Sequence, residues 1–311
     1  MSHYLDLDKF QHILINHWRP VLNNTHAGMS DATVYESRMR YPTDVKLLWE
    51  CCQYLQGEIL DYARRRKKPY RLTQRVRKNL FNHTVKLQEK LQIRLNGYLA
   101  QNPAAKSESV FEKLRTIKQI ITQQDYLIKH KGSKVDDRIL SLYKPYVRAI
   151  VRGKETKSVE FGAKVHMMQI DGVNYIEYFR YKAFNETTRF KWSILKHKQL
   201  FGNCSHWSAD RIYATNKNRV YATSQNIVTN FVAKGYSKND LQEKQMKALP
   251  DKERATRLEG SFGVEKNYYG LSKVKARKEQ TEKLCIYFGV MLANAVRICH
   301  RQKAQEYKLA A

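Results

Sequence analysis

Acidic residues are scarce in this chain. Twenty-nine Asp and Glu stand against fifty-seven Lys and Arg over 311 residues, a formal net charge of +28. Such a field concentrates polyanions and is hard to explain for a metabolic enzyme, so nucleic acid is the favoured partner and an anionic membrane surface the weaker one. Cysteine is also sparse: the five residues Cys51, Cys52, Cys204, Cys285 and Cys299 are odd in number, and none forms a C-x-x-C pair. That argues against a disulfide framework and against a zinc finger. Long apolar runs are missing too, with no stretch of about 18 uncharged apolar residues. The first ten residues carry Asp6 and Asp8 where a signal peptide has a basic start and an apolar middle. A soluble, cytoplasmic protein without a membrane partner is expected. With six prolines and thirteen glycines there is no low-complexity linker, and no internal repeat is visible.

What is abundant is material for a core. Apolar residues make up 42%, with twenty Tyr and eleven Phe, too many for a disordered chain. At a prior of about 150 residues per domain, two structural units are expected. Phe10, Ile13, Leu14, Trp18 and Leu22 recur at helical spacing, with Pro20 ending or bending that helix. Met29 to Tyr35 reads as a strand, and Tyr41-Pro42-Thr43-Asp44 as a break with a helix cap. Helical stripes then run from Val45 to Tyr62, Val76 to Leu99 and Val110 to Ile128, so residues 44–130 read as all-helical. Val159, Phe161, Ala163, Val165 and Met167 alternate with Glu160, Gly162, Lys164, His166 and Met168, a strand with one buried face. Asp171-Gly172 follows as a two-residue hairpin turn. Beyond it, helices over Arg189 to Phe201 and Asn216 to Ser224 alternate with strands over Cys204 to Ala209 and Ile227 to Val232. From Asp251 the chain is mainly helical, with an apolar stretch at Leu284 to Ile298.

Within the helical block, Arg64, Arg65, Arg66, Lys67, Lys68, Arg71, Arg75, Arg77 and Lys78 occur with no acid between Arg64 and Asn79. A solvated helix face is the ordinary meaning of a charge run, but nine uninterrupted cations favour a contact surface for phosphate backbone. Phosphodiester chemistry against so basic a background needs clustered acids, because paired divalent cations sit about 3.5–4 Å apart. Candidates are Asp31 in the first strand, Asp210 at the end of a later one, and Glu259 in a helical segment. Each has a plainer alternative: a turn residue, a helix cap and a solvated glutamate. Gly260 and Gly263 beside Glu259 weaken a helix and point to a close approach by a backbone or ligand. Asp171 is accounted for by its turn, Asp136 and Asp137 by a loop and cap, and His206 beside Cys204 by strand packing.

The strings SDATVYESRMRYPTDVKLLWE, RAIVRGKETKSVEFGAKV, SADRIYATNKNR and RATRLEGSFGVEKNYYGLSKVKARKEQTE occur in that order. Together they resemble the transposases of bacterial insertion sequences of the IS-five and related IS-four groups, over about residues 12 to 300. The resemblance implies an α/β, RNase H-like catalytic core, a mixed sheet flanked by helices, with a helical insertion after the first strand. It implies that Asp31, Asp210 and Glu259 form an Asp-Asp-Glu triad holding two Mg²⁺ or Mn²⁺ ions. It further implies that Lys266, seven residues after Glu259, contacts phosphate near the cut. The family's arginine, expected four positions before the glutamate, is replaced by Ala255, leaving Arg254 and Arg257 as candidates. Arg148, Arg152 and Lys154 fall in a stretch that holds DNA in the family, with Ala149 in place of its usual proline.

The expected organisation is therefore residues 1–43 as leading helix and first catalytic strand, 44–130 as a basic helical insertion, and 131–311 as the rest of the catalytic domain. Family members carry a helical end-binding domain ahead of the first acid, and only thirty residues precede Asp31, so most of that front domain is expected to be lacking. The activity implied is cutting and joining of double-stranded DNA at an element's terminal inverted repeats and at a target, with self-association on DNA. The alternative is a DNA-binding remnant without turnover. A structural RNA-binding protein fits the charge but lacks an RNP-like or KH motif.

Overall fold

The computed structural model describes residues 5–65, 81–101, 108–130, 132–151, 158–232 and 254–310. The chain divides into two compact units, one formed by Met1–Arg38 with Ala149–Ala311 and the other by Met39–Arg148. In the first, α1 (Leu7–Trp18) starts at Asp6, whose carboxylate accepts the N–H groups of Asp8 and Lys9 at 3.1 and 3.0 Å. Pro20 then lies in a single 3-10 turn, Arg19–Val21, because its ring cannot extend an α-helical ladder. The strand β1 (Ala27–Ser37) follows.

The second unit is helical. It packs α2 (Asp44–Arg65), α3 (Phe81–Gln101) and α4 (Glu108–Lys129) around a core that includes Leu48, Cys52, Leu55, Ile59, Leu95, Ile117 and Ile120. This unit is longer at both ends than the 44–130 read from the sequence. Residues 132–148 belong with it because Ile139 and Leu142 enter the helical core, and the Gln123 side chain both donates to the Ile139 carbonyl (3.1 Å) and accepts from its N–H (2.7 Å).

The remaining elements of the first unit are β2 (Ala149–Val151), β3 (Val159–Ile170), β4 (Val173–Arg180), α5 (Phe190–Phe201), β5 (His206–Ala209), α6 (Asn216–Ser224), β6 (Val228–Thr229), α7 (Gly260–Tyr268), β7 (Lys273–Val274) and α8 (Glu279–Ala310). The sheet is mixed. β3 runs antiparallel to β1 from Met29↔Gln169 to Glu36↔Gly162, and β4 antiparallel to β3. On the other side of β1, β5 pairs in parallel, and β6 is parallel to β5. β2 and β7 add short pairings at the far ends of β3 and β1. The hairpin joining β3 to β4 turns at Asp171 (φ 45°) and Gly172 (φ 81°), two left-handed residues in succession as a type I′ turn requires. From Gly162 onward β3 is buried on both faces rather than one, since helices cover both sides of the sheet there.

Two side-chain amides lock helices onto β4 by imitating a strand. Gln11 of α1 donates to the Ile176 carbonyl (2.8 Å) and accepts from its N–H (3.1 Å). Asn294 of α8 does the same to Asn174, at 2.7 and 2.9 Å.

Candidate active site

The parallel ladder between β1 and β5 ends at Ser30↔Ala209. Asp31 within β1 and Asp210, the first residue past β5, come next, so they stand level on neighbouring segments whose spacing is about 4.8 Å where the strands pair. Asp210 keeps an extended backbone (φ −62°, ψ 158°) and its carboxylate accepts the Arg211 N–H at 2.6 Å, starting the short helical turn Arg211–Tyr213. The Asp31 carboxylate accepts the Ala32 N–H at 2.8 Å. Both acids act on one neighbour: burial first, then Glu186, Asp31, Asp210 and Glu177, push the Tyr213 hydroxyl well above its usual range. Tyr213 is therefore a neutral phenol beside the pair, and its oxygen lies 2.9 Å from His166 Nε2. The opposite ring nitrogen of His166 is 3.0 Å from Glu177. Burial would raise the Glu177 carboxyl, but hydrogen bonds from His166 and Arg189 outweigh it and hold the group below its usual range.

β5 reaches its position through Trp207. The ring packs so closely on Gly28 that a Cβ there would lie 2.4 Å from it, and the indole N–H donates to Ser30 Oγ at 3.1 Å. Side chains alternate along β1, so Asp31, Thr33 and Tyr35 share one face. That face meets α7. Lys266 Nζ donates to Thr33 Oγ1 at 2.9 Å, one pleat beyond Asp31, and the Tyr35 hydroxyl donates to Glu265. Glu265 is fully buried and also accepts from Asn174 Nδ2 at 2.6 Å. Burial pushes its carboxyl up to about 7, against the opposing pull of Tyr35, Asn174, Arg297 and Lys266.

Glu259 ends a π-helical turn, Arg254–Glu259, that leads into α7, and its side chain is exposed. Among the described residues no three His, Cys, Asp or Glu side chains converge closely enough to hold a metal ion together. The aspartate pair itself supplies hard carboxylate oxygens, the donor chemistry that suits Mg²⁺. A cleft of about 340 Å³ lies on this side of the unit, lined among others by His26, Met29, Gln169, His206, Ser208 and Arg257. Met29 and Ser208 are paired one pleat before Asp31 and Asp210, so the cleft adjoins the acids.

The other anticipated residues are distributed as follows. Arg257 lines the cleft, whereas the side chain of Arg254 and all of Arg152 and Lys154 fall outside the described residues. Arg148 belongs to the helical unit, where its guanidinium donates to the Pro145 and Val147 carbonyls and lies 3.8 Å from Asp137. Arg64 is exposed near the end of α2, 3.7 Å from Asp61. The side chain of Arg65, and Arg66, Lys67 and Lys68, are outside the described residues.

Two expectations are corrected. Among the described residues nothing beyond its own helix lies within 4 Å of the position a Cβ would take on Gly260 or Gly263, so neither glycine shows the close backbone approach expected of it. The residue that does is Gly162, where a Cβ would lie 2.1 Å from the Tyr35 carbonyl oxygen. His206 is exposed at the cleft, its ring 6.3 Å from that of His26, rather than packed in the strand. Sequence reasoning passed over Tyr35, His166, Tyr213 and Glu265. For Glu265 a signal existed, since Leu258, Ser261, Phe262 and Glu265 recur at helical spacing and place an acid on the face that α7 buries.

In the second unit a larger cleft, about 750 Å³, runs along α4 and the 134–139 loop, with Arg115, Lys118, Lys134 and Arg148 around Tyr126. Asp136 and Asp137 also line it, so cations and acids share its wall. No protein-family model, curated protein or solved structure matches the chain.

Proposed function

We propose that this chain is a metal-dependent enzyme that cuts and joins DNA strands, a transposase of the Asp-Asp-Glu class working on double-stranded DNA in the cytoplasm. The observation that carries the proposal is the placement of Asp31 and Asp210 directly after Ser30 and Ala209, the last paired residues of two adjacent parallel strands, beside a cleft. The sheet order supports an RNase H-like core: an antiparallel meander of β1, β3 and β4, extended beside β1 by the parallel strands β5 and β6.

In this account Asp31 and Asp210 would hold Mg²⁺ or Mn²⁺, with Glu259 as the third acid the resemblance implies. Bound there, such ions would supply activation of an oxygen nucleophile and stabilisation of charge on the leaving oxygen of an in-line displacement. Lys266 and Arg257 bind the phosphate backbone and orient it over the aspartates. The Glu177–His166–Tyr213 chain holds Tyr213 in place, and burial, followed by the surrounding carboxylates, keeps its phenol neutral.

That no group of three ligating side chains converges among the described residues favours a second reading, a DNA-binding remnant that does not turn over. Mn²⁺-dependent nicking of a duplex carrying the element's terminal repeats, with the parent chain and Asp210→Asn side by side, distinguishes the two. Cutting by the parent alone supports the enzyme. DNA binding without cutting by either protein supports the remnant.

A further inference from the structure

α8 buries Ile286, Tyr287, Val290, Met291, Asn294 and Ile298 against its own unit and leaves a second face open. On that open face lie Cys285, Phe288, Leu292, Val296 and Cys299, with Phe288, Leu292 and Val296 exposed to 46%, 57% and 39%. Steps of three and four residues set them in one stripe along the helix. Phe10 of α1 stacks on Phe288 with ring centroids 5.2 Å apart, and Ile13, 57% exposed, lies one turn farther along α1. The seven-residue spacing of Cys285, Leu292 and Cys299 continues to Lys278 and Glu306, both exposed. Lys278 is already in the helical ladder, its carbonyl accepting the Glu282 N–H at 2.9 Å.

We propose that this stripe is the surface through which two copies of the chain pair, their α8 helices antiparallel and Leu292 on the two-fold axis. A two-fold interface must be self-complementary, residue i meeting j while j meets i. Reversing the stripe about Leu292 satisfies that condition at every position. Phe288 meets Val296 of the second copy, a large ring against a smaller branched side chain. Cys285 meets Cys299, and Lys278 meets Glu306, opposite charges at both ends of the contact. A parallel pairing would instead set Lys278 on Lys278 and Glu306 on Glu306, which is repulsive. The span from 278 to 306 gives a contact about 42 Å long at 1.5 Å per residue. Pairing through this face does not depend on whether the aspartates cut DNA.

The test is sedimentation equilibrium of the full chain without DNA, at tens of micromolar, for the parent and for Leu292→Arg. A dimeric parent and a monomeric variant with unchanged circular dichroism and Tm are expected. Mild copper–phenanthroline oxidation should give a covalent dimer on a non-reducing gel, lost in Cys285→Ser and equally in Cys299→Ser, because each bridge needs one of each. The other three cysteines are buried and do not compete. A monomeric parent, a dimer that survives Leu292→Arg, or a cross-link that survives either serine substitution would overturn the proposal.

Discussion

Glu265 is the side chain that ties the candidate site to the stability of the fold. Its carboxyl is raised from 4.5 to about 7, so the folded chain holds a proton that the unfolded chain has lost. The stabilisation is complete below about pH 4.5 and disappears as pH rises through about 7. Chemical denaturation of the parent and Glu265→Gln across pH 4 to 8 should show the parent losing about 3 kcal/mol relative to the variant over that window. Parallel curves would show that Glu265 is not buried as a titrating acid. Lys266, its neighbour, reaches β1, where it donates to Thr33. Lys266→Ala should weaken DNA binding and reduce the slope of log K against log salt by about one, read by fluorescence anisotropy at several salt concentrations. An unchanged slope would remove Lys266 from the phosphate contacts.

Among the elements, β1 and β3 carry the architecture, and Gly162 is what lets them meet. Gly162→Ala drives a methyl into the Tyr35 carbonyl and should cost at least about 2 kcal/mol in urea unfolding. Gly260→Ala meets nothing among the described residues and should be neutral or slightly stabilising, since alanine favours a helix over glycine by about 1 kcal/mol. Elements with strong local signals were legible in the sequence. The Asp171-Gly172 turn, the helix over Asn216–Ser224 and the alternation opening β3 rest on φ > 0 at the turn, on Thr215 capping the Asn218 N–H, and on period-two patterning. Where tertiary contacts decide, the patterns fell short. The expected strand over Ile227 to Val232 is two residues long, because only Val228 and Thr229 pair with β5. Cys204 to Ser208 looks too polar for a central strand, yet Trp207 and Ala209 alone bury one face while His206 and Ser208 turn to the cleft. Asp31 and Asp210 were visible as motif residues, but their level placement depends on the β1–β5 register, which no local pattern encodes. Glu259 was read correctly as helical, whereas the π-helical turn that carries it has no sequence signal of its own.

At the scale of the whole molecule, a net charge of +28 is carried by a chain of two compact units. One unit holds the aspartate pair, while the other has the cleft along α4, where Arg115, Lys118, Lys134 and Arg148 outnumber Asp136 and Asp137. Affinity for DNA should therefore fall steeply with salt even in an Asp210→Asn variant, because the field comes from cations spread over both units. Among the described residues no helix is long and apolar enough to cross a membrane. The central claim is that Asp31 and Asp210 act together as a divalent-cation site, and Mn²⁺ binding followed by electron paramagnetic resonance tests it most directly. The account predicts saturable binding to the parent chain that is lost in Asp31→Asn and in Asp210→Asn alike. Binding that survives either substitution, or no saturable binding to the parent, would contradict it.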